Sequence, residues 1–544
     1  MPWGSARSVL LTFAALVAII VLGGLLRGLG LRFGDPYVYH PDEWMLARHA
    51  MTMVATSDWN PHTFVYPSLL IELHAAIVAL MHGVGFGPLD TGQSWLYENE
   101  FLPRQFRYIL AGRTLVALMG IGTILVVFET GRRLVGVAGG LASAAILAIL
   151  PLAVEHAHYL TTDVPVAFFC ALCALTTVTA VQSRRTTWWV VAGLVAGLAG
   201  STKWNGLVVV GVPLLAYLAV RLGERRSLAI VVEREFVVTI GAILAAAAVA
   251  LVAATPGIVL APTEVSSWLA FLAEHYGHAD QPPQDTLAFN LGALVAGFGP
   301  LLGWCVAGMA VGVWRAVDDP RTRAAVSVPV FILVYLAVVS LPTRHYARNL
   351  LPILPYLAIS GGIATATLVD WAKTRDLGGV TRPRFGALVV AIGLVACMVV
   401  PAMASVGITD AMRRPDTRQV ARSWMLDHVP RGTRIAREVY TPQFNPREFR
   451  LRGSYFLHQH TLEGYRALGV RYLIASGRTY DRFIGVPGFS HETAFYRALF
   501  GLPEVFRVDP GPGRRGPTIR IFRLDPLGAT GLTGDPWTAR RRTR

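Results

Sequence analysis

The chain has 544 residues, of which 53% are hydrophobic and only 15% are charged, and its mean hydropathy is +0.48. Soluble proteins carry about 25% charged residues, so this composition excludes an ordinary soluble enzyme. The formal net charge of +15 would suggest nucleic acid as a partner in a soluble protein. In a membrane protein, basic cytoplasmic loops account for such a charge, and we expect no nucleic acid partner.

The cysteines exclude a disulfide scaffold, because there are only four and each lies in an apolar run. Cys170 and Cys173 have the spacing of a metal or redox pair, but their setting in one apolar helix favours packing.

Apolar runs long enough to cross a membrane recur along the chain. A helix needs about 20 residues to cross roughly 30 Å of hydrocarbon. We predict about eleven spans, near residues 8–30, 106–129, 135–153, 162–181, 187–202, 206–220, 235–254, 286–314, 324–341, 347–369 and 385–407. Arg7 precedes the first span and no small-residue cleavage site follows it, which predicts a signal anchor rather than a removable signal peptide.

Basic loops predict the orientation, because Lys and Arg accumulate on the cytoplasmic side. They lie at 132–133, 184–185, 221–226, 315–323 and 373–384. This pattern places the first loop, residues 31–105, outside the cytoplasm. It also requires the apolar segment 64–84, which carries Glu72, His74 and His82, to be an interfacial or re-entrant helix rather than a span.

Composition changes after the last span. We therefore predict a membrane domain at 1–407, a small extracytoplasmic α/β domain at 408–526 and a disordered tail at 527–544. Residues 416–428 have the pattern of an amphipathic helix, whereas 470–476 and 518–524 have the pattern of strands. The predicted fold is thus mainly α, a polytopic helical bundle with external juxtamembrane helices and a small C-terminal domain.

Ionisable groups gather at the predicted outer membrane boundary, where an unpaired charge is costly and is often functional. They are His40, Asp42, Glu43, His62, Glu155, His156, His158, Asp163, Lys203, His275, His278, Arg344, His345 and Arg348. A carboxylate can take a proton from an attacking hydroxyl, and cations can stabilise a departing phosphate.

Simpler readings exist for each group. Asp42 and Asp163 have the positions of helix-terminal carboxylates. His156 and His158 could pack at the interface, and Lys203, Arg344 and Arg348 could snorkel. His275 and His278 are read as loop residues or as metal ligands. The joint pattern on one side of the membrane favours a catalytic site.

The motif YHPDEW at 39–44 resembles the acidic motif in the first external loop of lipid-carrier-dependent GT-C glycosyltransferases. The bacterial relatives of protein O-mannosyltransferases and of the lipid A aminoarabinose transferase are the most similar. The same order of motifs follows over residues 8–525: Tyr66-Pro67, Arg113 opening a span, LPLAVEHAHYLTTD ending in Asp163, GLAGSTKWNG with Lys203, ARNLLPILPYLAI, and GVRYLIASGRTYDRF in the C-terminal stretch.

The resemblance implies an integral enzyme of the cytoplasmic membrane that transfers a hexosyl or pentosyl group from polyprenyl phosphate to an acceptor hydroxyl outside the cytoplasm. Asp42 would be the general base of an inverting displacement, and Glu43 would position the acceptor or assist the base. Lys203 and Arg348, with Arg344, would neutralise the leaving phosphate. His40 and Arg113 would contribute to substrate binding, and Tyr66 to the entrance for the lipid chain.

The resemblance leaves the metal and the acceptor open. Asp163, a further catalytic residue, would with His158 orient the site or bind a divalent metal, for which His275 and His278 are the other candidate ligands. The short loop at 255–286 lacks the long insert of eukaryotic protein mannosyltransferases, so lipid, polysaccharide and protein acceptors all remain candidates. The rival classes are a glycolipid transporter or flippase and a non-catalytic cell-envelope scaffold. A transporter would favour midplane charges and repeated halves, and the chain has no obvious internal repeat.

Overall fold

The computed structural model describes residues 6–87, 89, 105–225, 227–277, 285–318, 320–374 and 383–524. The apolar part of the chain is helical, as expected where no water can satisfy backbone groups. Its helices are α1 Ala6–Gly28, α2 Pro41–Thr56, α3 Leu69–Gly83, α4 Phe106–Val135, α5 Val137–Ala148, α6 Pro151–His156, α7 Asp163–Ser183, α8 Thr186–Thr202, α9 Gly211–Arg225, α10 Arg234–Ala253, α11 Gly257–Leu260, α12 Pro262–Gly277, α13 Thr286–Phe298, α14 Leu301–Asp318, α15 Ser327–Ser340, α16 Leu354–Thr374 and α17 Pro383–Arg413. Short 3₁₀ helices occupy Trp204–Val210, Leu228–Val232, Pro320–Val326 and Ala347–Ile353.

Eight helical segments of the described residues are long and apolar enough to cross a membrane, and a bent pair makes a ninth. This multi-span membrane architecture confirms the predicted class, although the first of the two predicted spans described next is shorter than expected and the second has its expected length. The span predicted at 135–153 is a 12-residue helix, α5, that ends before Pro151, where α6 begins. The span predicted at 187–202 is the 17-residue helix α8.

The span predicted at 286–314 is bent rather than straight. Helices α13 and α14 meet at an angle of 107°. Gly299 between them has a φ of +55°, which an L side chain rarely adopts, and Pro300 has no backbone N–H to continue a helix. Hydropathy alone contains no signal for such a bend.

The segment predicted not to cross the membrane contains helix α3, which has 15 residues. At 1.5 Å per residue, such a helix is about 22 Å long, shorter than the roughly 30 Å of a hydrocarbon core. The length of α3 therefore agrees with the interpretation of residues 64–84 as an interfacial or re-entrant helix.

Two helical segments form the centre of the bundle. Of an 18-residue apolar stretch of α7, 78% is buried, and the corresponding share in the segment 347–373 is 83%. In α1 and in α17 it is only 11%. The polar residues that begin these two central segments, Asp163 and Arg348, are thus fixed by the best-packed parts of the bundle.

Helices α8 and α10 approach each other closely through glycines. A Cβ atom at Gly193 or at Gly197 would clash with the backbone carbonyl of Ile243 or of Ala247, respectively. Small residues four apart are the usual means by which membrane helices come into backbone contact. This contact holds α8, which ends next to Lys203, in place.

A second structural unit consists, among the described residues, of residues 33–41, 105–106 and 414–524. The predicted domain boundary at 407/408 falls inside α17, which continues to Arg413. This unit contains helices α18 Thr417–His428, α19 Leu462–Ala467, α20 Gly477–Tyr480 and α21 Ser490–Phe500. Its strands are β1 Arg434–Arg437, β2 Arg450–Gly453, β3 Tyr472–Ser476, β4 Glu504–Val508 and β5 Ile519–Arg523.

The five strands form one mixed sheet in the order β2-β1-β3-β5-β4, in which β2, β1 and β3 are parallel. Ile435, Ile474 and Ile521 pack on one face together with Ala421 and Met425 of α18. The other face packs against α19, α20 and α21. The predicted helix at 416–428 and the two predicted strands are confirmed, and the tail at 527–544 lies outside the described residues.

Candidate active site

The charged residues of the candidate site lie where helices of the membrane unit begin or end. Asp42 is in the first turn of α2, directly after Pro41, and a carboxylate is favourable at that end of a helix. Asp163 begins α7. Lys203 follows α8 in an extended conformation, and Arg348 lies in the 3₁₀ helix that precedes α16.

Asp42 and Arg348 form the first ion pair of the site. Nη1 of Arg348 lies 3.0 Å from Oδ2 of Asp42, and the two side chains are 20% and 19% exposed. The Tyr66 hydroxyl donates a hydrogen bond to the same carboxylate oxygen over 3.2 Å. Burial raises the pKa of Tyr66 well above its usual value, and the nearby Asp42 charge raises it further. Tyr66 is therefore a protonated hydrogen-bond donor.

Asp163 and Lys203 form the second pair, which is more deeply buried. Nζ of Lys203 lies 2.7 Å from Oδ1 of Asp163, and the side chains are 8% and 2% exposed. The ammonium also donates to Oδ1 of Asn349 over 2.9 Å. Lys203 is one of only two lysines in a chain whose other basic residues are arginines, and a compact ammonium suits the space between these two oxygens.

Glu43 and Arg113 form the third pair, which is completely buried. Arg113 binds Glu43 through two hydrogen bonds, from Nε over 2.7 Å and from Nη2 over 2.8 Å. Glu43 also accepts a hydrogen bond from the Leu160 backbone N–H over 2.9 Å, and Arg113 donates to the Leu31 carbonyl over 2.7 Å. The pair connects α2 and α4 with the turn before α7. Although Glu43 is adjacent to Asp42, its side chain points elsewhere, as successive helical residues do.

Aromatic residues complete the surroundings of Arg348. Its guanidinium lies 4.8 Å from the ring centre of Tyr346. Burial raises the pKa of Tyr276 above its usual value, while the charge of Arg348 lowers it. Arg344 donates a hydrogen bond to Nε2 of His275 over 3.1 Å. His275 therefore holds the Arg344 side chain near the site.

The two neighbouring histidines of the turn before α7 have different surroundings. Both ring nitrogens of His158 face backbone carbonyls, Nδ1 at 2.8 Å from Val154 and Nε2 at 2.9 Å from Leu29, and a neutral imidazole donates to one of the two. His156 is 9% exposed, and its Nδ1 has no hydrogen-bond partner in the part of the chain that the structure describes. His40 belongs to the second structural unit.

The proposed metal ligands do not form a metal site in the described part of the chain. No three His, Cys, Asp or Glu side chains converge there. The ring nitrogens of His158 face backbone carbonyls, Asp163 is paired with Lys203, and Nε2 of His275 accepts from Arg344. His278 lies outside the described residues. These side chains therefore do not fit the suggested metal.

One comparison with known proteins agrees with the geometry of the site. The family model described as dolichyl-phosphate-mannose-protein mannosyltransferase matches residues 107–259, which include Arg113, Asp163 and Lys203. No curated protein sequence matches the chain.

Several solved structures share the fold. The Archaeoglobus fulgidus oligosaccharyltransferase in its apo form has a TM-score of 0.57 and 13% identity, over 88% of this chain and 72% of that chain. The archaeal oligosaccharyltransferase AglB from the same organism, in complex with an inhibitory peptide and a dolichol-phosphate, has a TM-score of 0.56 and 13% identity, over 94% and 74% of the two chains. ArnT from Cupriavidus metallidurans in the apo state has a TM-score of 0.52 and 17% identity, over 94% and 97%.

The chain therefore has the GT-C membrane fold, as its motifs predicted. Within that class, its similarity extends to a mannosyltransferase family model over residues 107–259 and to the transferases named above over nearly the whole chain.

Proposed function

We propose that the chain is a glycosyltransferase that moves a sugar from a polyprenyl phosphate carrier to an acceptor hydroxyl. The observation that supports this most directly is the ion pair between Asp42 and Arg348 beside the pair between Asp163 and Lys203. Together they offer a base and two cations at neighbouring helix ends. The family model and the lipid complex of AglB agree with a lipid-linked donor.

In the proposed reaction, Asp42 takes the proton of the acceptor hydroxyl, and the resulting oxygen attacks the anomeric carbon. A new bond forms between the acceptor oxygen and that carbon, while the bond from the carbon to the phosphate oxygen breaks. The phosphate leaves with the electron pair, and Arg348 and Lys203 stabilise its charge. A single displacement inverts the configuration at the anomeric carbon.

The remaining predicted residues receive roles that fit their contacts. The resemblance implies that Glu43 positions the acceptor or assists the base, but its carboxylate binds Arg113 and the Leu160 N–H. We therefore assign Glu43 and Arg113 to positioning the first turn of α2, which carries Asp42. Tyr66 orients the carboxylate of Asp42. Arg344 is a secondary source of positive charge, held by His275.

The charge distribution along individual helices supports an extracytoplasmic site. Helix α7 begins at Asp163 and is followed by Arg184 and Arg185, and the segment that begins near Arg348 ends at Lys373. The site groups thus lie at the helix ends opposite the basic residues, and basic residues favour the cytoplasmic side. We accordingly place the protein in the cytoplasmic membrane with its site on the other side.

Turnover of defined donors by the purified chain tests this function. The full chain in lipid nanodiscs would receive radiolabelled hexoses and pentoses on polyprenyl phosphate, with membrane extract as the source of acceptors. Release of polyprenyl phosphate together with a labelled acceptor is expected. Binding of a donor without turnover of any member of the panel would instead indicate a transporter or scaffold.

A further inference from the structure

A buried histidine with unused hydrogen-bonding groups lies within the charged site. His156 ends α6, is 9% exposed, and has no hydrogen-bond partner for Nδ1. No described residue donates to or accepts from its Nε2 either. Among the described residues its ring contacts only one other ring, that of Tyr159, edge-to-face, at 5.7 Å between ring centres. Buried polar groups are almost always hydrogen-bonded, so an exception calls for an explanation.

The position of His156 relates it to the reaction rather than to packing. The charges that act on its protonation are those of Glu155, Asp163, Arg348 and Lys203, and the last three belong to the two ion pairs of the site. Burial lowers the pKa of His156, so the imidazole is neutral near pH 7. A neutral imidazole has one N–H donor and one acceptor nitrogen.

This pair of groups fits a hydroxylated ligand better than a phosphate. Lys203 and Arg348 already supply positive charge for a phosphate. Phosphodiester oxygens only accept hydrogen bonds, and a phosphate would leave the acceptor nitrogen of His156 unused. A sugar hydroxyl both donates and accepts. Neighbouring hydroxyls of a sugar ring can therefore satisfy both nitrogens.

We propose that His156 binds hydroxyl groups of the transferred sugar and is thereby a determinant of donor specificity. This inference rests on the proposed function and extends it to the sugar subsite. It also distinguishes His156 from His158, whose nitrogens are occupied by the backbone.

The test is a pair of substitutions that separate hydrogen bonding from ring packing. His156→Phe keeps an aromatic ring against Tyr159 but removes both nitrogens, whereas His156→Asn keeps a donor and an acceptor but removes the ring. Affinity would be measured on the full chain in nanodiscs, for the sugar donor that the wild type turns over and for undecaprenyl phosphate without a sugar. His158→Phe is the matched control.

We expect His156→Phe to weaken binding of the sugar donor about tenfold or more, which corresponds to the loss of one or two buried hydrogen bonds. Undecaprenyl phosphate should bind within about twofold of wild type. His156→Asn should retain more affinity than His156→Phe. The control should lower the melting temperature and affect both ligands alike.

Three results would overturn the assignment. One is wild-type affinity of His156→Phe for the sugar donor. Another is an equal loss for the sugar donor and for undecaprenyl phosphate, which would indicate contact with the phosphate. The third is a greater loss in His156→Asn than in His156→Phe, which would indicate packing. A wild-type chain that turns over no donor would instead remove the proposed function, and with it this subsite.

Discussion

Oδ2 of Asp42 lies 3.0 Å from Nη1 of Arg348 and accepts a hydrogen bond from the Tyr66 hydroxyl at 3.2 Å. In the proposed reaction the same guanidinium stabilises the leaving phosphate. That reaction requires Arg348 to exchange a carboxylate partner for a phosphate partner when the donor binds, which would release the Asp42 oxygen for the acceptor proton.

The general-base role of Asp42 predicts that Asp42→Asn removes activity without unfolding the protein. Asparagine keeps the size of the side chain but cannot take the proton, so release of polyprenyl phosphate should fall at least about 100-fold. Asp58→Asn is the control, because that carboxylate is exposed and its contacts are local, with His62 and with the Asn60 backbone N–H. Equal activity of wild type and Asp42→Asn would exclude this base.

The buried pair between Glu43 and Arg113 predicts a loss of stability when one partner is neutralised. Glu43→Gln leaves the Arg113 charge buried without a carboxylate, which costs about 3–5 kcal/mol. The melting temperature should drop clearly. Glu129→Gln, in a partly exposed pair with Arg132, should cost no more than about 1 kcal/mol. An unchanged melting temperature in Glu43→Gln would contradict the positioning role.

Lys203 should not tolerate arginine. The longer, planar guanidinium cannot occupy the place of an ammonium that lies 2.7 Å from Asp163 and 2.9 Å from Asn349 without moving one of them. We expect Lys203→Arg to reduce turnover at least about tenfold. Lys373→Arg, at a half-exposed lysine in the last turn of α16, should behave as wild type. Full activity of Lys203→Arg would show that only the charge matters.

Glu438 makes the second unit sensitive to pH. Its buried carboxyl group accepts hydrogen bonds from Tyr496 and from the backbone N–H groups of Leu457 and Ser476. Burial outweighs these bonds and raises the pKa of Glu438 from 4.5 to about 7. Its contribution to stability is therefore complete below pH 4.5 and is lost as the pH rises through 7, by on the order of 3 kcal/mol.

Hydrogen exchange of strands β1 and β3 in the full chain would measure this effect. Protection should decrease between pH 5 and pH 8 once the intrinsic exchange rate has been corrected for, and Glu438→Gln should remove most of that dependence. Protection that increases over the same interval would mean that the three hydrogen bonds outweigh burial.

The close contact of α8 and α10 predicts that Gly197→Ala is destabilising. The added Cβ would meet the Ala247 carbonyl, and separating the helices costs about 1–3 kcal/mol. Gly241→Ala is the control, because nothing lies within 4 Å of a Cβ at that position of α10. A melting temperature of Gly197→Ala equal to that of Gly241→Ala would contradict the contact.

Much of the site was predictable from the sequence because membrane boundaries leave a strong pattern. Asp42, Asp163, Lys203 and Arg348 interrupt or precede long apolar runs, and such charges stand out in sequence. Their pairing was not predictable, since the partners are far apart in the chain. Asn349 accepts a hydrogen bond from Lys203. The sequence indicated this residue only by its position as a polar residue directly before an apolar span.

The two histidines before α7 show where sequence reasoning stops. His156 and His158 lie two residues apart in the same motif, and the candidate site included His158. Both ring nitrogens of His158 face backbone carbonyls, whereas Nδ1 of His156 has no partner among the described residues. The two histidines differ only because of the path that the backbone takes around α6. Neither the hydropathy nor the spacing of the residues predicts that path.

Because the chain has so few lysines, chemical modification of its amines can report on the state of the site. Apart from the α-amino group, the chain has two primary amines, and they differ sharply in access: the side chain of Lys203 is 8% exposed and that of Lys373 is 52% exposed. An amine-selective reagent should therefore modify Lys373 quickly and leave Lys203 intact. Any ligand or substitution that breaks the contact with Asp163 and exposes Lys203 would appear as one additional modified peptide.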